Sequence, residues 1–122
     1  VVALFSSPKV KITIDKEAYP VDAVEYLKSS GFKGNIFCEF DWGEYIIWRL
    51  YPGVKVSFDG RYDTVYPVDL IKANFELLES GKGPLPENTD AVIIYSYRRP
   101  LPVLSNYKQI YSDKVAKIFK IR

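Results

Sequence analysis

Three short stretches hold the residues able to do chemistry: Asp41-Trp42-Gly43-Glu44-Tyr45, Asp59-Gly60-Arg61-Tyr62-Asp63 and Arg98-Arg99. They offer carboxylates, guanidinium groups, an indole and phenols. Aromatic faces beside carboxylates suit a sugar, whose C–H face stacks while its hydroxyls donate to the acids. The candidate binding set is Asp41, Trp42, Glu44, Tyr45, Asp59, Arg61, Tyr62, Asp63 and Arg98. A structural reading competes with it. Asp59 would accept backbone N–H groups around the Gly60 turn while Arg61 pairs with Asp41 or Glu44, and such networks are the commoner outcome. Asp41 and Asp59 as a hydrolytic pair would need a separation of about 5 to 9.5 Å, which sequence spacing does not fix. Asp59 and Asp63 fall short of a cation-binding loop, which requires further oxygen ligands at set offsets. Trp42 and Trp48 read as core anchors, Trp48 above all.

Several chemistries are excluded by what the chain lacks. There is no histidine, which removes imidazole metal ligands and every nucleophile that relies on a histidine base. A single cysteine, Cys38, permits no internal disulfide and no multi-cysteine zinc site. Cys38 falls within a strand-like run, where it reads as a small buried apolar residue. Arg98-Arg99-Pro100 offers bidentate donors to a phosphate, yet no Gly-rich strand-turn-helix cradle accompanies it. No catalytic residue, metal or cofactor is assigned. Seventeen basic residues against 15 acidic ones leave a net charge of +2, too balanced to argue for nucleic acid or an anionic surface.

The loops must be held by elements. At 122 residues with 48% apolar and 26% charged content, the chain is sized and composed for one globular domain. Strand signals cover residues 35–40, 55–58 and 91–97, rich in Ile, Val, Phe and Tyr. The run Ala91-Val92-Ile93-Ile94-Tyr95 barely alternates, as expected of a strand covered on both faces. Residues 41–54 between the first two strands give about the dozen needed for a parallel crossover. Within them, residues 42–51 are apolar nearly all round and predict a buried or interfacial helix. Tyr-Pro-Val-Asp occurs at positions 19–22 and again at 66–69, opening two helices with expected inner stripes Val21, Val24, Leu27 and Val68, Ile71, Phe75, Leu78. Residues 107–111 and 115–121 flank Ser112-Asp113-Lys114 as a hairpin. Residues 10–14 alternate like an edge strand. The expected class is α/β: a small mixed sheet with a parallel βαβαβ core and a C-terminal antiparallel β-hairpin. Residues 1–18 form an N-terminal stub and edge strand, and 19–122 the domain. If the strands are parallel, the three chemical stretches lie just past their carboxyl ends on one rim, where such sheets bind ligands.

With these segments in place, the chain resembles the C-terminal soluble domain of multi-pass membrane proteins of the glycosyltransferase-like class, relatives of lipid-linked-sugar mannosyltransferases. The likeness rests on the Pro-initiated first helix, Gly34-Asn35-Ile36-Phe37, Trp42-Gly43-Glu44-Tyr45 followed by Ile46-Ile47-Trp48, Asp59-Gly60-Arg61-Tyr62 with Tyr66, Asp90-Ala91-Val92, and Tyr111-Ser112-Asp113. Glu44 stands where that class usually has a second Gly, and Tyr107 where Trp is common. The resemblance implies an extracytoplasmic domain tethered to its own transmembrane body, with a glycan or lipid-linked sugar as candidate ligand and no nucleic-acid partner. It supplies no catalytic residue. The absence of Met even at position 1 agrees with an excised piece. The expected function is therefore a non-catalytic accessory module, and the alternative is a small soluble carbohydrate-active or carbohydrate-binding protein using Asp41, Asp59, Arg61 and Asp63.

Overall fold

The computed structural model describes residues 14–57 and 68–121. The strand expected over residues 10–14 thus lies outside the described residues, except for Ile14, which is not in a strand. Helix α1 (Val21–Ser29) carries Asp22 in its first turn and Lys28 in its last, both matched to the helix dipole. Ala23, Val24 and Leu27 are buried, and Val21 packs beside them. The helix stops where Gly31 takes a left-handed φ of +73°. There Phe32 N–H reaches Leu27 O and Gly31 N–H reaches Lys28 O, both at 3.1 Å, which satisfies two terminal carbonyls.

Strand β1 (Gly34–Cys38) follows, then a 3₁₀ turn (Phe40–Trp42), helix α2 (Gly43–Leu50) and β2 (Val54–Val56). Helix α3 (Val68–Ser80) leads to β3 (Ala91–Tyr95). A second 3₁₀ turn (Pro102–Asn106) leads to β4 (Tyr107–Ser112) and β5 (Ala116–Ile121). The sheet order is β2-β1-β3-β5-β4, parallel across β2, β1 and β3 and antiparallel across the last three. This is the α/β class expected from the sequence, with the hairpin joined to the core through its second strand.

Alternation of side chains sends each strand's residues to two cores. Ile36, Cys38, Ile93 and Ile118 meet Val24, Leu27, Trp42 and Ile46 on one face. Phe37, Val92 and Ile94 meet Leu77, Leu78, Leu101 and Leu104 on the other. Coverage of both faces explains why residues 91–94 are apolar without a break.

Two sequence expectations are corrected. Trp48 is no core anchor: it is 60% exposed, because Tyr45, Ile46 and Leu50 form the buried face of α2 and Trp48 points away from it. On α3 the inner face runs through Ile71, Asn74, Leu77 and Leu78, while Val68 is exposed. At 3.6 residues per turn Val68 lies roughly a quarter turn off that face, and a polar residue, Asn74, occupies a core position that a search for apolar residues passes over.

Candidate functional site

The carboxyl ends of β1 and β3 are neighbours, and the residues that follow them form one rim. Beyond β1 the backbone N–H of Glu39 bonds Ile93 O at 3.3 Å, and the 3₁₀ turn then presents Asp41 outward. Beyond β3 a turn closed by Arg98 N–H on Tyr95 O at 3.1 Å presents Tyr97 and Arg98. Asp41 and Arg98 therefore share an end of the molecule. Asp59, Arg61, Tyr62 and Asp63 lie outside the described residues.

The strongest contact of this rim involves a residue that the sequence reading did not single out. The buried Glu39 carboxylate accepts Arg98 Nη2 at 2.7 Å and Nε at 2.9 Å, and also Tyr95 N–H at 3.1 Å. Arg98 Nη1 donates to Leu78 O at 3.1 Å, tying the α3 terminus to the pair. The hydrogen-bonded carboxylate of Glu39 raises the Arg98 pKa further, against the opposing cost of burial. Arg98 is thus a structural cation, its fork already filled, and an anion would have to compete with Glu39 for it. The available signal was Glu39 itself, a carboxylate directly after the apolar Ile36-Phe37-Cys38.

Trp42, also in the candidate set, is fully buried. Its indole N–H donates to Ala18 O at 2.8 Å and its ring meets Tyr95 edge-on at 4.6 Å. It supports the rim from beneath and has no face left for a ligand. The exposed rings are others. Tyr97 is 75% exposed and stacks on Tyr95 with centroids 5.0 Å apart and planes 12° apart. Tyr19 lies against Tyr45 at 5.5 Å, and Tyr45 against Trp48 at 6.0 Å.

Between these two aromatic groups run two adjoining clefts. One, of about 570 Å³, is lined by Glu17, Tyr19, Asp41, Glu44, Tyr95 and Tyr97 among others. The other, of about 480 Å³, includes Asp15, Tyr19, Asp41, Glu44, Tyr45 and Trp48. Tyr19, Asp41 and Glu44 are common to both, so the clefts form one groove with carboxylates along its middle. Tyr95 O–H donates to Asp41 Oδ2 at 3.1 Å, which fixes that carboxylate and leaves its remaining acceptor sites free. Burial, reinforced by Asp41, pushes the Tyr95 phenol well above its ordinary value, so it stays a donor. Burial likewise raises Tyr45. Of the nine sequence candidates the structure brings together Asp41, Glu44 and Tyr45 on the groove. Trp42 stands behind it and Arg98 beside it.

Among the described residues no group of three or more metal-ligating side chains is arranged to hold an ion, and no helix is long and apolar enough to cross a membrane. No family model matches the chain, and neither a curated protein nor a solved structure was found similar to it.

Proposed function

We propose that this domain is a non-catalytic glycan-binding module, the extracytoplasmic accessory part of a membrane glycosyltransferase-like protein, with its own transmembrane body as the natural partner. The observation that carries the binding role is the groove: open aromatic faces of Tyr97, Tyr19 and Trp48 flank the exposed carboxylates of Asp41 and Glu44. A hexose laid along it stacks its C–H face on a ring and donates its hydroxyls to the acids, while Tyr95 keeps Asp41 oriented. The groove volume is that of ordinary small-ligand sites. The tether rests on the resemblance given above. The alternative, a small soluble carbohydrate-active protein, shares Asp41 with this reading and otherwise depends on Asp59, Arg61 and Asp63.

Titration with neutral manno-oligosaccharides, read by Trp48 fluorescence and calorimetry, tests the binding role. Saturable binding that Asp41→Asn weakens supports it. A chain that binds no neutral hexose oligomer overturns it.

A further inference from the structure

The net charge of +2 conceals an uneven distribution. The groove end carries Asp15, Glu17, Asp41 and Glu44. The opposite end, where β1 and β3 begin, carries lysines. In the β4–β5 ladder Lys108 stands directly opposite Lys120. Cross-strand partners project from the same face, so two lysine side chains leave the sheet as neighbours, and like charges directly opposite are destabilising. Among the described residues no carboxylate forms an ion pair with either. Lys33 and Lys120 together line a shallow cleft with Tyr26, Phe32, Ile110 and Ile121. Lys120 Nζ lies 6.0 Å from the Phe32 ring centroid. Ile121 is 49% exposed and Tyr26 40%. Asp90 is the one carboxylate in this lining, and its Oδ2 already accepts Asn35 N–H at 2.8 Å.

We propose that this end is a docking surface for a bilayer rich in anionic phospholipid. Lys33, Lys108 and Lys120 meet the lipid phosphates, and Tyr26, Phe32 and Ile121 enter the headgroup layer. Lysines with no ion-pair partner among the described residues, set among aromatic and aliphatic side chains, are the composition of a membrane interface. The lysine stems lie along the apolar surface while their ammonium groups reach outward. A nucleic-acid backbone would meet the same charges but would gain nothing from Ile110 and Ile121, which decides for lipid. Docked in this way, the domain turns its carboxylate groove away from the negative surface, which would otherwise repel it.

Co-sedimentation of the 122-residue chain with vesicles tests it. Vesicles of equimolar phosphatidylglycerol and phosphatidylcholine should pellet the protein at low salt, at least about tenfold more strongly than phosphatidylcholine alone. The Lys33→Gln, Lys108→Gln, Lys120→Gln triple variant should lose pelleting with its melting temperature unchanged or raised, because the like-charge pair is gone. The triple Arg variant should keep pelleting. Equal pelleting on both vesicle types, or a folded Gln variant that pellets like the parent, contradicts the proposal. So does release by inorganic phosphate beyond that by chloride at matched ionic strength, which would mark a discrete phosphate pocket. Tighter binding to single-stranded DNA than to the anionic vesicles also overturns it.

Discussion

Glu39 and Arg98 join the ends of two parallel strands and a helix terminus through a single pair of side chains. With only 3% of the Glu39 side chain exposed, removing Arg98 would strand a buried carboxylate. Arg98→Ala is therefore expected to cost about 3 kcal/mol in urea unfolding, and a Glu39→Leu, Arg98→Leu double variant to recover much of that. Additive losses in the double variant would contradict the pairing. The pair was only half legible: Arg98 was visible as a charge at a strand end, but its partner lies 59 residues away and is fixed by the register of β1 on β3. Asp113 has a similar local role. Burial alone would raise its carboxyl, but hydrogen bonds from Tyr111 O–H and the Ala116 and Val115 amides outweigh this and hold it below its ordinary 3.8. Its stabilising contribution is present above that value and is lost as pH falls through the lower folded-state value. Asp113→Asn should accordingly flatten the acid limb of the stability curve. At the alkaline end the sign reverses for the phenols. Burial raises Tyr95 and Tyr111 above the ordinary 10.0, so stability is intact below pH 10 and declines as pH rises past it.

Two glycines at element boundaries differ in why they are needed. Gly31 ends α1 at φ +73° with open space around a would-be Cβ, so Gly31→Ala should cost about 1 kcal/mol, purely from the backbone. At Gly34, φ is +142° and a Cβ would sit 2.5 Å from Asp90 Oδ2, the oxygen that accepts Asn35 N–H. Gly34→Ala must both strain the backbone and push Asp90 away, so its unfolding midpoint should fall well below that of Gly31→Ala. Equal losses would show that Asp90 moves freely. Asn74 offers the opposite test. It is buried on α3, and its Nδ2 has no hydrogen-bond partner among the described residues. Asn74→Leu should stabilise by about 1 kcal/mol in the same assay, since an unpaired buried amide costs about that much or more. Gly31 as a helix stop and the strand character of β3 were readable because each is local. The inner face of α3 was readable at Ile71 and Leu78 but not at Asn74, a polar residue in a core position.

At the scale of the molecule, the parallel core could be read from the continuous apolar run of β3 and the length of the β1–β2 crossover. The insertion of β5 between β3 and β4 could not, because it depends on which hairpin strand packs better, a long-range choice. The same limit explains the groove. Asp41, Glu44 and Tyr45 were legible as a compact motif, whereas Tyr19, Tyr95, Tyr97 and Trp48 join them only once the 3₁₀ turn and the rim are assembled. Trp42 is buried, in keeping with its reading as a core anchor, whereas Trp48, expected in the core, is exposed and lines the groove.

As proposed, the groove holds a sugar on open aromatic faces beside the Asp41 carboxylate, fixed by Tyr95, and that of Glu44. Amide chemical-shift mapping during titration with manno-oligosaccharides, for the parent and for Tyr97→Ala, tests it most directly. Saturable shifts at Tyr19, Asp41, Glu44 and Tyr97, with affinity about tenfold weaker in a Tyr97→Ala variant whose stability stays within about 0.5 kcal/mol of the parent, are the predicted result. Shifts confined to the lysine-bearing end, or none that saturate, would contradict it.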